Sequence, residues 1–266
     1  MTILWPIAAI TFKEGIRNRA IYGISLFALS LFGLSLLISN MAPRDVGKVA
    51  VDMALSTISF SGLLVVLFVG INLMAKDLDK RTIYMVLSRP ISRAQYILGK
   101  FLGMVLLIII TMVFVSILGL ISILLLKLSY PAYFEKFSWI LVILSISFST
   151  LMLILLSAIS FLFASFASTS FITLVLTIIT YLIGQSINDV KALVESNIAI
   201  SPITVKIVRI AYYIFPNLSF FDIKNQAAHG LHVSPSYIFW TVVYGLVYTC
   251  LAITFASIIF RKKEFP

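Results

Sequence analysis

The sequence predicts an all-α polytopic membrane protein with six transmembrane helices, an N-terminal interfacial helix and a short polar-side helix between the second and third spans. Three observations carry this. Of 266 residues, 61% are hydrophobic and only 11% are charged, and the mean hydropathy is +1.11, whereas a soluble domain is nearer half apolar and a quarter charged. Apolar runs of the roughly 20 residues that cross a hydrocarbon core recur along the chain. The short alternating segments of a transmembrane barrel do not appear.

Residues 1–19 open with Ile3, Ile7 and Ile10 at helical spacing, followed by Lys13, Glu14, Arg17 and Arg19. A secretory signal carries its positive charges before the apolar run; here they follow it and Pro6 interrupts it, so an interfacial helix fits better. The first span is read at about 20–39. A polar loop with Pro43, Arg44, Asp45 and Lys48 leads to a second span at about 53–75. The charged segment 76–95 comes next, then a third span at about 96–126, roughly 45 Å long if helical and therefore longer than a ~30 Å core. Trp139 to Ile187 is about 49 residues with hardly a break, or ~73 Å as one helix, too long for a single crossing. The small polar cluster Ser165–Ser170 is its natural turn, dividing it into spans at about 139–164 and 171–187, with a re-entrant hairpin as the alternative. Residues 188–237 form the longest polar excursion, with Pro202, Pro216 and Pro235, and the sixth span is read at about 238–260.

The net charge of +10 does not point to nucleic acid, because the basic residues cluster beside apolar runs, as topology and anionic headgroups require. With both termini inside, 12 of the 20 basic residues are cytoplasmic, and four of the ten acids. The inverted topology distributes the basic residues much worse. Cys250 lies alone in an apolar run, which excludes an internal disulfide and suggests a small packing residue.

The segment from Lys76 to Gly103 concentrates Lys76, Lys80, Arg81, Arg89, Arg93 and Lys100 against Asp77 and Asp79, a charge density that lipid does not accept. The two acids suit a helix start, and Ile83, Val86 and Leu87 share one face of the helix that follows. Arg89-Pro90 ends it, and Ser92-Arg93-Ala94-Gln95 reads as a capping box for the third span. A rigid transverse helix and an ordinary basic loop are both compatible with this pattern.

Four motifs resemble one family. They are Arg17-Asn18-Arg19, Lys76-Asp77-Leu78-Asp79-Lys80-Arg81-Thr82, Arg89-Pro90-Ile91-Ser92-Arg93 and Leu98-Gly99-Lys100-Phe101-Leu102-Gly103. Their order and placement resemble type-2 ATP-binding-cassette (ABC) exporter permeases, closest to the subgroup tied to multicopper-enzyme maturation and nitrous oxide reductase assembly. Phe215-Pro216-Asn217-Leu218-Ser219-Phe220-Phe221-Asp222 is similar to a recurring feature of that subgroup. Where family members commonly carry Glu after the second span, this chain has Asp77 and Asp79.

The resemblance implies a type V ABC exporter fold and a prokaryotic cytoplasmic (inner) membrane location. It also implies a separate cytoplasmic ABC ATPase subunit holding ATP and Mg, and a second permease copy, a homodimer or a paralogue. By the same resemblance Asp77, Asp79, Arg81, Thr82, Tyr84, Leu87, Arg89, Pro90 and Arg93 form the coupling helix and its flanks. Lys13, Glu14, Arg17 and Arg19 then belong to an elbow helix, and the second and fifth spans face the dimer seam and substrate route. Candidate pathway residues are Ser56, Ser59, Asn72, Thr173, Thr177, Thr180 and Gln185; close helix packing is the other reading of the Ser and Thr faces.

No G-x-x-x-x-G-K-[ST] occurs, so no P-loop is expected in this chain. The predicted span interiors carry no Asp, Glu, Lys, Arg or His except Lys100, which argues against an ion-coupled carrier. A catalytic site would need a nucleophile with a base, paired acids or a metal. His229 and His232 flank Gly230 and Leu231 without a nearby cysteine, and a full metal site wants three or four ligands. The expected function is therefore the permease subunit of an ABC exporter, without catalytic site, metal or cofactor of its own. A carrier or channel without an ATPase, and a membrane scaffold for protein assembly, are the alternatives.

Overall fold

The computed structural model describes residues 4–41, 45–73, 92–134, 137–167, 169–195 and 202–262. All regular structure among them is helical. In chain order the helices are α1 (Leu4–Ile16), α2 (Arg19–Met41), α3 (Val46–Leu64) and α4 (Arg93–Ser129). Then follow α5 (Trp139–Phe166), α6 (Ser170–Glu195), α7 (Pro202–Ile214), α8 (Lys224–His229) and α9 (Pro235–Lys262). Six are long and apolar enough to cross a membrane: α2, α3 with its continuation to Leu73, α4, α5, α6 and α9.

Helix α3 is the most enclosed span, packed against α2, α4, α5 and α8. Its last part is unusual. Val65–Gly70 is a π-helical turn in which the Ile71 N–H donates to the Val66 carbonyl, five residues back, before the helix continues to Leu73. Such a turn inserts one residue into the helical repeat and re-aims everything after it. At 37 residues α4 is about 55 Å long, and it contacts α1, α2, α3, α5 and α9. Glycine sets several of these approaches: a Cβ on Gly119 would lie 2.8 Å from Ile58 of α3.

Two boundaries differ from the sequence expectation. α3 begins at Val46, seven residues before the predicted start, so Lys48 and Asp52 lie on the helix rather than in the loop. α6 runs on to Glu195, carrying Asn188, Asp189 and Lys191. The α5–α6 break falls at Ala167, which leaves helical geometry at φ −62°, ψ 148°.

The segment after α6 is a folded cap. Leu218–Phe221 makes a 3₁₀ turn capped by the Asn217 side chain, and Gly230 takes the left-handed φ of 63° that ends α8. Phe221, fully buried, meets Phe148 edge-on at 6.4 Å. Cys250 is exposed on α9. The packed face of α9 is Thr249, Ala252, Ile253, Ala256 and Phe260, and the thiol points off it rather than filling the core.

Polar side chains inside the bundle are mostly small. The hydroxyls of Ser35, Ser61, Ser116, Ser122, Ser145 and Thr249, drawn from five helices, are buried with no hydrogen-bond partner. Others return their proton to their own helix, as Thr177 does to the Thr173 carbonyl at 2.7 Å.

Candidate functional site

The residues expected to couple to an ATPase, Asp77, Asp79, Arg81, Thr82, Tyr84, Leu87, Arg89 and Pro90, lie outside the described residues. What can be built is the frame on either side of them, Leu73 at the end of the described α3 and Ser92 at the start of α4. Ser92 caps α4 by a full capping box: its Oγ accepts from the Gln95 N–H at 3.2 Å, and its own N–H donates to Gln95 Oε1 at 3.0 Å. This is the arrangement the Ser-x-x-Gln spacing predicts, and it fixes the direction in which the chain enters the helix.

Three elements converge on the first three turns of α4: α1, the end of the described α3, and α9. Gly99 and Gly103 admit α1: a Cβ on Gly99 would stand 2.8 Å from the Ile7 Cβ, and one on Gly103 2.6 Å from the Ala8 carbonyl oxygen. The contact continues where Gly15 receives Leu107. Arg93, at the first helical position, donates to the carbonyls of Arg261 (3.1 Å) and Phe260 (3.5 Å), where a cation suits the carbonyl end of α9. Tyr96 stacks on Phe260 with ring centroids 6.2 Å apart. Lys100, only 5% exposed, donates from Nζ to the Leu73 carbonyl at 2.6 Å, with its ammonium 5.5 Å from the Tyr96 ring centroid. Gly70 completes the junction, because a Cβ there would meet Met104 of α4 at 2.5 Å.

At the same end, Lys13, Glu14 and Arg17 line a cleft of about 580 Å³ with Ile10 and Asn18. Arg19 starts α2 and does not line this cleft.

A second cleft, about 390 Å³, lies over α3 between α2 and α6. It is lined by Leu31, Asp52, Ser56, Ser59, Tyr181 and Lys224, together with Met53, Thr57 and Phe60. Ser59 also bonds Ser149 of α5, Oγ to Oγ, at 2.9 Å. Ser56 and Ser59 were visible as candidates in the sequence. Asp52, Tyr181 and Lys224 were not, because Asp52 read as loop and Lys224 reaches the cleft only through the folded cap. Lys224 also pairs with Asp222 at 3.4 Å. One turn before Asp52, the Lys48 ammonium, 2.8 Å from the Asp45 carboxylate, hydrogen-bonds it and holds its pKa below the usual value.

The other pathway candidates are placed apart from this cleft's lining. Thr173, Thr177 and Thr180 are buried, each hydroxyl directed to a backbone carbonyl four residues back. Gln185 Nε2 contacts the Met152 sulfur at 3.2 Å, and Asn72, exposed, donates to the Phe68 carbonyl. His229 Nδ1 bonds the Asn225 carbonyl at 3.0 Å, and no group of three or more potential metal-ligating residues occurs among the described residues.

The Phe215–Asp222 motif anchors the cap. The Asn217 side chain donates to Asn188 Oδ1 at 2.6 Å and accepts from Ser219 Oγ at 2.7 Å, while its N–H donates to the Tyr244 hydroxyl at 2.8 Å. Asn188 Nδ2 donates to Ser219 Oγ, and Tyr237 donates to the Phe220 carbonyl at 2.7 Å. Gly184 allows the approach, since a Cβ would be 2.7 Å from the Pro216 carbonyl oxygen. The motif thus ties α6 to α9.

Two comparisons with known proteins bear on this architecture. Over 107 residues the chain is 27% identical to the probable ABC transporter permease protein NosY of Pseudomonas aeruginosa, and the matched stretch covers 39% of each protein. The family described as ABC-2 family transporter protein matches residues 5–265. A bundle of six membrane-length helices matched from end to end leaves one assignment: this chain is a member of the ABC-2 family of transporter proteins.

Proposed function

We propose that this chain is the permease subunit of an ABC exporter, moved by ATP hydrolysis on a separate cytoplasmic ATPase. The observation that carries the reading is the junction at the start of α4. Both chain ends of the segment 74–91 are held there, Ser92 by its capping box and Leu73 by Lys100. With both flanks held, a load on the segment is passed on to α3 and α4.

On this reading residues 76–91 dock on the ATPase, with Tyr84 and Leu87 inserted and Arg81 and Arg89 orienting them, while Pro90 sets the angle. Lys13, Glu14 and Arg17, lining the cleft beside α1, add to the same docking side. Both termini are cytoplasmic, and two permease copies complete the transporter. The cleft holding Asp52, Ser56, Ser59, Tyr181 and Lys224 is the entry to the substrate route, with the threonine face of α6 as the surface that moves against α5. The chain itself carries no catalytic site; ATP and Mg belong to the partner. The relative named as an ABC transporter permease supports this reading.

The test is the double variant Tyr84→Glu, Leu87→Glu, expressed with the ATPase. Membrane insertion should be retained, and co-purification of the ATPase with nucleotide-driven change in the permease should be lost. A double variant that still binds the ATPase and still responds to nucleotide refutes the proposal.

A further inference from the structure

We propose that Lys100 is a positioning residue that clamps the end of α3 to α4, so that both helices answer a load on segment 74–91 as one body. The inference gives a role to Leu98-Gly99-Lys100-Phe101-Leu102-Gly103, whose ammonium is otherwise unexplained.

An ionisable group enclosed in a membrane bundle is costly and calls for a partner. One partner of Lys100 is a main-chain carbonyl of another helix: Nζ lies 2.6 Å from the Leu73 oxygen, and the side chain is 5% exposed. A carbonyl ties it to the backbone path of α3, which is the quantity a lever must control.

The position along α3 is equally specific. Leu73 lies three residues beyond the π-helical turn Val65–Gly70, where the hydrogen-bond register slips by one residue. A register slip is where a helix bends most readily, so without a restraint the last turn could swing independently of the rest of α3. Two contacts oppose that swing. Lys100 holds the carbonyl beyond the slip, and Gly70 lets the Met104 side chain pack close to the backbone at its end. One turn before Lys100, Tyr96 joins the ammonium to Phe260 of α9, and one turn after it Gly103 receives α1. The clamp therefore sits where α1, α3 and α9 all meet α4.

The transmitting half of this proposal rests on the coupling function proposed above, and the experiment separates the two. The probe variant is Lys100→Met, which fills a similar volume and keeps the fold while removing the donor. Lys100→Arg restores a cationic donor. In the first arm the full permease, without ATPase, is reconstituted in lipid nanodiscs and followed by hydrogen–deuterium exchange. In Lys100→Met the amides of residues 68–73 should exchange faster by on the order of tenfold, the loss expected for one charge-assisted bond, with α2, α5 and α9 unchanged and Lys100→Arg largely restored. Unchanged exchange at 68–73 overturns the clamp.

In the second arm the complex with its ATPase carries Met53→Cys in the cleft and Cys250→Ser. Thiol labelling at position 53 is compared without nucleotide and with ATP plus vanadate. Lys100 and Lys100→Arg should respond to nucleotide. Lys100→Met should show the nucleotide-free rate in both states while still retaining the ATPase, a loss that general destabilisation does not produce. An equal response in Lys100→Met overturns the transmitting role. Absence of any response with Lys100 intact overturns the coupling function itself, and the first arm then judges the clamp alone. Should Lys100→Met fail to insert, Lys100→Gln, whose shorter side chain cannot carry an ammonium to the Leu73 carbonyl, is held to the same two outcomes.

Discussion

Replacing Asn217 by alanine should detach the folded cap without disturbing the spans. Three side-chain bonds disappear: the donation to Asn188 Oδ1 at 2.6 Å, and the acceptances from Ser219 Oγ at 2.7 Å and the Ser219 N–H at 3.2 Å. Asn217 is 4% exposed, so water does not freely replace what is lost. At about 1 kcal/mol net per bond the sum is about 3 kcal/mol. With roughly 2–4 °C per kcal/mol for a chain of this size, the midpoint in detergent should fall by about 6–12 °C. Hydrogen exchange should localise the change to 217–222 and to the α6 amides around Asn188. Asn217→Asp keeps the acceptor for Ser219, loses the donor to Asn188 and should fall between. The coupling of Asn217→Ala with Asn188→Ala should be clearly non-additive, since both delete the same bond. A loss below about 0.5 kcal/mol, the range of an ordinary surface change, with unchanged exchange at 217–222, would show that the cap is held by the burial of Phe221 and not by this network.

Three further outcomes follow from other contacts. Gly103→Val should free α1 from α4, because the new Cβ starts 2.6 Å from the Ala8 carbonyl oxygen. Overpacking of this kind costs about 1–3 kcal/mol, and faster proteolysis within residues 4–16 is the readout. Arg93→Gln removes the guanidinium bonds to the Phe260 and Arg261 carbonyls, so the end of α9 should fray and trypsin should cut after Arg261 severalfold faster, with α4 still capped by Ser92. Ser149→Ala leaves Ser59 without its interhelical partner; the average cost of such a bond inside a membrane protein is about 0.6 kcal/mol, so unfolding in mixed detergent should shift only slightly.

The elements that sequence reasoning could place are those with local causes. Ser92 and Gln95 cap α4 through a three-residue spacing, and the α5–α6 break needs only that helical geometry fail among Ala167 and its small polar neighbours. The start of α3 was misplaced for an equally physical reason. Asp45, Lys48 and Asp52 look like loop, yet a helix near the end of a bundle can carry Asp52 when its side chain opens into a cleft, as it does here. The excursion after α6 read only as a long polar stretch because the order of its cap comes from distant pairs, Gly184 with Pro216, Asn188 with Asn217, and Tyr244 with Asn217, which leave no periodic trace. Lys100 stood out as a lone charge within an apolar run. One of its partners is a main-chain carbonyl 27 residues away, which no residue type in the sequence advertises.

The unpartnered hydroxyls of Ser35, Ser61, Ser116, Ser122, Ser145 and Thr249 change how easily this bundle can be reshaped. A seam stitched by mutual bonds must break them before it shifts, whereas these oxygens forfeit nothing when a neighbouring helix glides past. Slim and indifferent to direction, they act as dry bearings between cylinders, and the resistance to sliding is left to the few fastened points at either end.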